Sequence, residues 1–130
     1  MENQQSSSNA IFQELRTIIY DKEFELAQRA FMEKNYDQFE DTEENKLIYT
    51  QIYEQFVSLL ENIIIVKLEL KFKSEDIDDF YTTFVDNMKQ YEAEDAVTVN
   101  SLFSFIDFEK FKESILLYKK DRDNSDAALD

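Results

Sequence analysis

The chain has 130 residues and a formal net charge of −15, and it contains no Cys, no His and no Gly. A chain of this length fits one domain, and its hydrophobic fraction of 43% can fill a core, so the 33% of charged residues does not indicate disorder. The missing residue types exclude disulfides, thiolate and imidazole metal sites, cysteine nucleophiles, histidine bases and glycine-rich phosphate loops. We therefore expect neither an enzyme nor a cofactor.

The negative net charge favours some classes of binding partner over others. Nucleic acid and anionic membranes attract positive patches, so both are disfavoured, and a positively charged protein or peptide is favoured. Charge alone leaves open that the acidity serves only solubility, and it favours a monomer. No apolar run approaches the roughly 18–20 residues of a membrane span, and the start of the sequence has neither a signal peptide nor a myristoylation signal. We expect a soluble cytoplasmic protein.

Three helices are predicted in the first half of the chain from apolar residues at helical spacing. Ser8 or Asn9 can cap the first helix, and Asp21 can cap the second. A third helix is predicted to start at Asp41, because Glu44 three residues later gives capping-box spacing. The faces predicted to be buried carry Ile11, Phe12, Leu15, Ile18 and Ile19 in the first helix, Phe24, Ala27, Phe31 and Met32 in the second, and Ile48, Ile52, Phe56, Leu59, Leu60, Ile63 and Ile64 in the third.

Residues 66–73 alternate apolar and charged side chains, which is the period of a strand. No other segment alternates, and a strand without a partner leaves its backbone groups unsatisfied. We therefore expect the third helix to end here and to continue into an extended connector.

Three more helices are predicted after the connector. Ser74 begins the fourth, a less regular fifth runs from about Asp95 to Ile106, and Asp107 can cap the last. Their apolar residues are Ile77, Phe80, Tyr81, Phe84, Val85 and Met88, then Val99, Leu102, Phe103 and Ile106, then Phe108, Phe111, Ile115 and Leu116. The predicted architecture is an all-α compact bundle of about six helices over residues 10–120, between a disordered polar tail (1–9) and an acidic tail (121–130).

The acidic tail also allows a calcium-site hypothesis. Asp121, Asp123 and Ser125 copy the first three side-chain positions of an EF-hand loop. The next loop position needs Gly and here is Asp126, and the later bidentate Glu is missing. We prefer a solvated tail and predict no metal site.

The run FEDTEENKLIYT at residues 39–50 resembles the signature of the BART family, whose members bind Arf-like small GTPases. Residues on both sides fit the same pattern, and the resemblance extends over about residues 10–120. These residues are Glu23, Phe24, Leu26, Gln28, Phe31, Met32, Lys34 and Tyr36 before the run, and Phe105, Asp107, Phe108, Phe111, Lys112, Glu113, Leu116 and Tyr118 after it. The resemblance implies an all-helical domain that binds a GTP-loaded Arf-like GTPase and does no chemistry.

In that family the GTPase docks through its switch regions and through an N-terminal amphipathic helix that lies in an apolar groove. The residues that the resemblance makes candidates for the polar contacts are Asp41, Glu43, Glu44 and Asn45, with capping of their own helix as the alternative. The candidates for the groove are Leu47, Ile48, Ile52, Phe56, Phe84, Met88, Leu102 and Phe105, with burial in the core as the alternative.

The implied function is that of an effector that stabilises or relocates the active GTPase. The alternative is a structural module of a ciliary or cytoskeletal assembly that does not bind a GTPase, and a carboxylate-based enzyme is a more distant alternative. Besides the cytoplasm, the resemblance leaves open the cilium or basal body, the centrosome, the mitochondrial intermembrane space and the nucleus.

Overall fold

A computed structural model of the protein describes residues 4–129, with the side chains of residues 7–125. Over this range the chain is helical and has no strand. The elements are α1 (Gln4–Tyr20), α2 (Lys22–Asn35), a 3₁₀ turn (Tyr36–Gln38), α3 (Leu47–Phe56), a π-helical segment (Val57–Glu61), α4 (Asn62–Glu69), α5 (Ser74–Phe84), α6 (Met88–Phe103) and α7 (Phe108–Leu129). Because α3, the π-helical segment and α4 are continuous, the described residues form six helices, and the predicted all-α bundle is confirmed.

Two of the predicted caps are confirmed. The Asp21 carboxylate accepts a hydrogen bond of 3.2 Å from the Glu23 N–H at the start of α2. The Asp107 carboxylate accepts from the Glu109 N–H at 2.9 Å and from the Lys110 N–H at 3.3 Å at the start of α7. Both aspartates satisfy N–H groups that have no partner within the helix, which is why this signal is readable from local sequence.

Three other predicted boundaries are wrong. Ser8 and Asn9 lie inside α1, so they do not cap it. Residues 41–46 are not helical and α3 starts after Lys46, because contacts with α7, described below, hold this segment in another shape. Met88 begins α6 instead of extending α5, because the chain turns at residues 85–87 and the Asn87 N–H bonds back to the Thr83 carbonyl at 3.2 Å.

Helical backbone crosses both predicted domain boundaries, since α1 includes residues 4–9 and α7 continues to Leu129. Residues 1–3 and residue 130 of the predicted tails lie outside the described residues. The mobility of the two tails stays a prediction.

Residues 66–73, which alternate apolar and charged side chains, form the predicted helix end and connector. α4 stops at Glu69, and the Phe72 N–H then bonds to the Leu68 carbonyl at 2.9 Å in a turn. Lys73 is extended, with φ −73° and ψ 147°, and leads into α5. The alternation therefore reflects a helix end followed by a connector.

One hydrophobic cluster joins all six helices. The Phe56 ring is fully buried, and its centroid lies 4.6 Å from that of Phe111 in α7 and 4.9 Å from that of Phe105. Phe31 of α2 is 5.4 Å away. These rings fix α7 against α2 and α3, which is the arrangement that positions the site described below.

Four residues on the predicted buried faces are exposed instead: Ile48, Leu59, Val85 and Ile106. Ile48 lies in the first turn of α3. Val85 and Ile106 lie in the turns that follow α5 and α6. Leu59 lies in the π-helical segment, whose wider turn rotates the following side chains relative to an α-helix.

Helix α6 breaks at Asp95, whose φ of −159° and ψ of 94° are not helical. Its buried carboxylate accepts hydrogen bonds from the Thr98 N–H at 3.1 Å, the Arg16 Nε–H at 3.0 Å and the Tyr20 hydroxyl at 3.0 Å. Burial by itself raises the pKa of Asp95, but the hydrogen bonds outweigh it and leave the pKa below its ordinary value. Asp95 thus caps the second half of α6 and ties it to α1.

Candidate functional site

Residues 39–46 form an irregular loop between the 3₁₀ turn and α3. We call this segment the acidic loop, because its side chains include four exposed carboxylates. They belong to Glu40, Asp41, Glu43 and Glu44. Glu40 pairs with Lys46 of the same loop, with 3.2 Å between Nζ and Oε1. The loop therefore displays concentrated negative charge beside the start of α3.

Two stacked aromatic residues connect the start of the acidic loop to α3. The rings of Phe39 and Tyr49 are fully buried and stacked, with centroids 4.3 Å apart and an interplanar angle of 14°. The Glu40 N–H donates to the Tyr49 hydroxyl at 2.9 Å. Phe39 also meets the Phe111 ring edge-on at 5.8 Å. The first residues of the loop are thereby joined to the first turn of α3 and to α7.

Two lysines of α7 donate hydrogen bonds to the acidic loop. The Lys112 Nζ donates to the Thr42 carbonyl at 2.7 Å and to the Asn45 Oδ1 at 2.8 Å, and it lies 5.6 Å from the centroid of the Tyr49 ring. The Lys119 Nζ donates to the Phe39 carbonyl at 2.6 Å. The lysines are seven residues apart, so they project from the same side of α7. We call Lys112 and Lys119 the lysine pair.

An apolar pair follows the acidic loop directly. Leu47 is 75% exposed and Ile48 is 39% exposed, at the N-terminal end of α3. Exposed aliphatic side chains next to a charged rim have the composition of a contact patch for another protein. The loop and this pair together form the candidate contact surface.

A cleft of about 960 Å³ lies between α2 and the continuous helix that begins with α3, and we call it the α2–α3 cleft. Gln51 and Gln55 line it at one and two turns beyond Leu47, so the cleft begins beside the apolar pair. Leu59, 54% exposed, continues the same wall. The other lining residues are Ala27, Ala30, Phe31, Lys34, Asn35, Glu54, Ser58 and Ile63. Five of the eleven lining residues are apolar and six are polar, so the cleft combines an apolar surface with polar side chains.

The structure brings the first part of the predicted site together. Six predicted residues are exposed on one continuous stretch: Asp41, Glu43, Glu44, Asn45, Leu47 and Ile48. The Asn45 side chain also has a structural task, because it accepts from Lys112. Asp41 and Glu44 do not cap α3, which was the alternative role for these polar residues.

Five predicted groove residues are buried in the core, as the alternative interpretation had it. They are Ile52, Phe56, Phe84, Leu102 and Phe105, all at most 4% exposed. Met88 is half-buried and packs against the same core. We interpret the five as core residues that present no surface to a partner, and the open cleft lies on another face of α3.

The lysine pair and the two stacked rings are the parts of the site whose roles the sequence did not reveal. Phe39 and Tyr49 belong to the family-like run, and Lys112 fits the family pattern, but nothing local to these residues indicates what they contact. Basic residues placed seven apart in a strongly acidic chain are the one signal that could have drawn attention to Lys112 and Lys119.

The calcium hypothesis has no geometric support in the described part of the chain. Asp121, Asp123 and Ser125 are exposed on the continuous helix α7, where successive side chains diverge and cannot wrap an ion as a loop does. Among the described residues, acidic side chains form no cluster of three or more that could hold a metal ion. None of the described helices is both long enough and apolar enough to span a bilayer.

Fold and surface together define an all-helical module with a fixed acidic loop beside an open cleft, which is the construction of a protein-binding domain. Residues 7–124 match the family described as the ARF-like 2 binding protein BART. The chain therefore belongs to the BART family, which is named for binding a small GTPase and not for a catalysed reaction.

Individual relatives agree with this assignment. The ADP-ribosylation factor-like protein 2-binding protein of Homo sapiens is 41% identical over 116 residues, covering 88% of this chain and 69% of the human protein. The protein of the same name from Gallus gallus is 38% identical over 116 residues, covering 88% and 72% of the two chains. The Rattus norvegicus protein is 40% identical over 110 residues, covering 84% of this chain and 65% of its own length.

Proposed function

We propose that this protein is an effector that binds the GTP-loaded form of an Arf-like small GTPase of the ARF-like 2 type. The observation that carries the proposal is the exposed acidic loop with its apolar pair, which lies inside the segment matched to a family named for that binding. The names of the relatives state the same binding for those proteins.

Charge supports the kind of partner. The net charge of −15 attracts a basic surface from a distance, and the four carboxylates of the acidic loop concentrate that attraction at one place. Leu47 and Ile48 then supply the apolar contact that long-range attraction cannot provide. A partner with basic residues around an apolar centre matches this surface.

The α2–α3 cleft is our proposed seat for the N-terminal amphipathic helix of the GTPase. Along the continuous helix formed by α3, the π-helical segment and α4, the cleft extends from Gln51 to Ile63, which at about 1.5 Å per residue is ~18 Å, or roughly three helical turns. Because it begins beside Leu47, a GTPase whose switch regions meet the acidic loop can place its helix in the cleft at the same time. Apolar anchors one turn apart on that helix would face Ala27, Ala30 and Leu59.

Contact with both surfaces makes the binding sensitive to nucleotide. GTP orders the switch regions of a small GTPase, so a protein that needs them binds the GTP form more tightly than the GDP form. The same differential affinity stabilises the GTP form by mass action. The effector supplies no catalytic group, and we expect no acceleration of GTP hydrolysis at stoichiometric concentration.

The test is titration calorimetry with ARF-like 2 GTPase loaded either with a non-hydrolysable GTP analogue or with GDP, at low and high salt. We expect binding at least about ten-fold tighter with the GTP analogue, and weaker binding at high salt because ions screen the acidic loop. Equal affinity for both forms would contradict the effector role. No binding to any Arf-like GTPase would favour the structural module of a ciliary or cytoskeletal assembly.

A further inference from the structure

Lys112 is a buried cation whose polar contacts all lie in one short segment. Lys112 is 6% exposed. A buried ammonium group is tolerated only when it is paired or hydrogen-bonded. The groups that satisfy it are the Thr42 carbonyl, the Asn45 side chain and the face of Tyr49. The first two belong to the acidic loop and the third to the first turn of α3.

Besides the exposed Glu40–Lys46 ion pair, the acidic loop has few contacts of its own to fix its shape. Between residues 40 and 46 its one backbone–backbone hydrogen bond within the loop joins the Thr42 N–H to the Glu40 carbonyl, at 2.9 Å. Four carboxylates within five residues repel one another and favour an extended chain. The positive charge of Lys112 offsets that repulsion. Its two hydrogen bonds hold the loop at Thr42 and at Asn45.

A stability role alone does not account for a lysine here. An apolar residue packs at a buried position without the cost of desolvating a charge, and such replacements are often neutral or stabilising. The hydrogen bonds of Lys112 reach across 70 and 67 residues of sequence to the same loop. Lys119 adds a third bond to the loop from the same side of α7, at the Phe39 carbonyl.

We infer, resting on the proposed function, that Lys112 is a positioning residue for the GTPase-binding surface, with Lys119 as its second support. Lys112 holds the acidic loop and the Leu47–Ile48 pair in the bound shape before the partner arrives. The partner then binds without the cost of ordering the loop, which is the energetic advantage of a preorganised site.

The test compares Lys112→Met with Lys89→Met, which removes the same charge from an exposed position of α6. The first readout is amide hydrogen exchange in the free protein, so it does not depend on the GTPase. In K112M we expect the Glu40 and Thr42 amides to exchange at least about ten-fold faster, with the core amides of α1 and α5 unchanged. In K89M both sets should match the wild type.

The second readout is affinity for GTP-loaded ARF-like 2 GTPase. We expect at least about ten-fold weaker binding for K112M, less than about two-fold change for K89M, and substantial recovery in Lys112→Arg, which keeps the charge. Should K112M fail to fold, Asn45→Ala removes one acceptor of the same ammonium from the exposed loop, and a smaller loss of affinity with faster loop exchange is then expected.

Wild-type affinity in K112M, together with unchanged loop exchange, would overturn the positioning role. If the wild-type protein itself did not bind the GTPase, the proposed function would fail, and the exchange measurement would still decide whether Lys112 holds the loop.

Discussion

Asp95 lies at the break in α6 and connects this helix to α1. Its carboxylate caps the second half of α6 and accepts from Arg16 and Tyr20 of α1. Each of these bonds is to an ionised acceptor, which is the stronger kind of hydrogen bond. The carboxylate therefore stabilises a backbone break that the helix would not otherwise keep.

Asp95→Asn should lower the free energy of unfolding by about 2 kcal/mol, because the amide loses the ion pair and accepts fewer hydrogen bonds. Urea denaturation at neutral pH measures this. The matched control is Glu25→Gln, which removes the same charge from the exposed pair that Glu25 makes with Arg29 on α2. A change of less than about 0.5 kcal/mol is expected there. Equal losses in the two variants would contradict the role of Asp95.

The same pair of variants gives a pH dependence. The pKa of Asp95 is lower in the folded protein than its ordinary value of about 3.9, so the folded state favours the charged form. Its stabilisation is therefore present above that ordinary pKa and is lost as the pH falls through the lower folded pKa. We expect the difference in unfolding free energy between wild type and D95N to be constant from about pH 7 to 5 and to shrink below about pH 4. A difference that stays constant to pH 3 would contradict this.

At the scale of elements, the acidic loop shows why some helix starts were predictable from the sequence and another was not. Asp21 and Asp107 act on N–H groups two or three residues away, so their caps were visible in the sequence. Asp41 and Glu44 have the same local spacing, but Lys112 holds their segment from 70 residues away and α3 starts later. A local signal fails where a distant contact decides the backbone.

Five of the groove candidates lie in the core for a related reason. Apolar periodicity identified the buried faces of α3 and α5, and Phe56 and Phe84 lie on them. Periodicity does not show which parts of a face are covered by neighbouring helices. The cleft lies instead where α2 carries the small side chains of Ala27 and Ala30 and where Leu59 of the π-helical segment is exposed.

Leu59→Ala and Phe84→Ala separate the wall of the cleft from the core. Leu59 is half-exposed, so its truncation should weaken binding of a peptide that copies the GTPase's N-terminal helix about ten-fold, with little change in melting temperature. Phe84 is 2% exposed, so its truncation should cost about 3–5 kcal/mol of stability. Peptide titration and thermal denaturation distinguish the two effects. Unchanged peptide affinity in Leu59→Ala would place the helix elsewhere.

At the scale of the whole molecule, helical periodicity predicted the class of fold, and the structure shows which groups are exposed. The absence of Cys, His and Gly excluded most catalytic sites, and helical periodicity predicted the six-helix bundle. The net charge of −15 predicted a basic partner but not the face that it meets. In our proposal that face is the acidic loop, whose position depends on how α7 and α3 pack, because the lysine pair, Phe39 and Tyr49 hold it.

The central claim is that the acidic loop is the contact surface for the GTP-loaded GTPase. Glu43→Lys with Glu44→Lys reverses its charge, and Glu69→Lys with Glu92→Lys makes the same change of charge at exposed positions of α4 and α6. The most direct measurement is the Kd of each double variant for ARF-like 2 GTPase loaded with a non-hydrolysable GTP analogue. We expect the loop variant to bind at least about thirty-fold more weakly and the control to stay within about three-fold of the wild type. Equal weakening would mean that only the overall charge matters, and wild-type affinity in the loop variant would place the contact elsewhere.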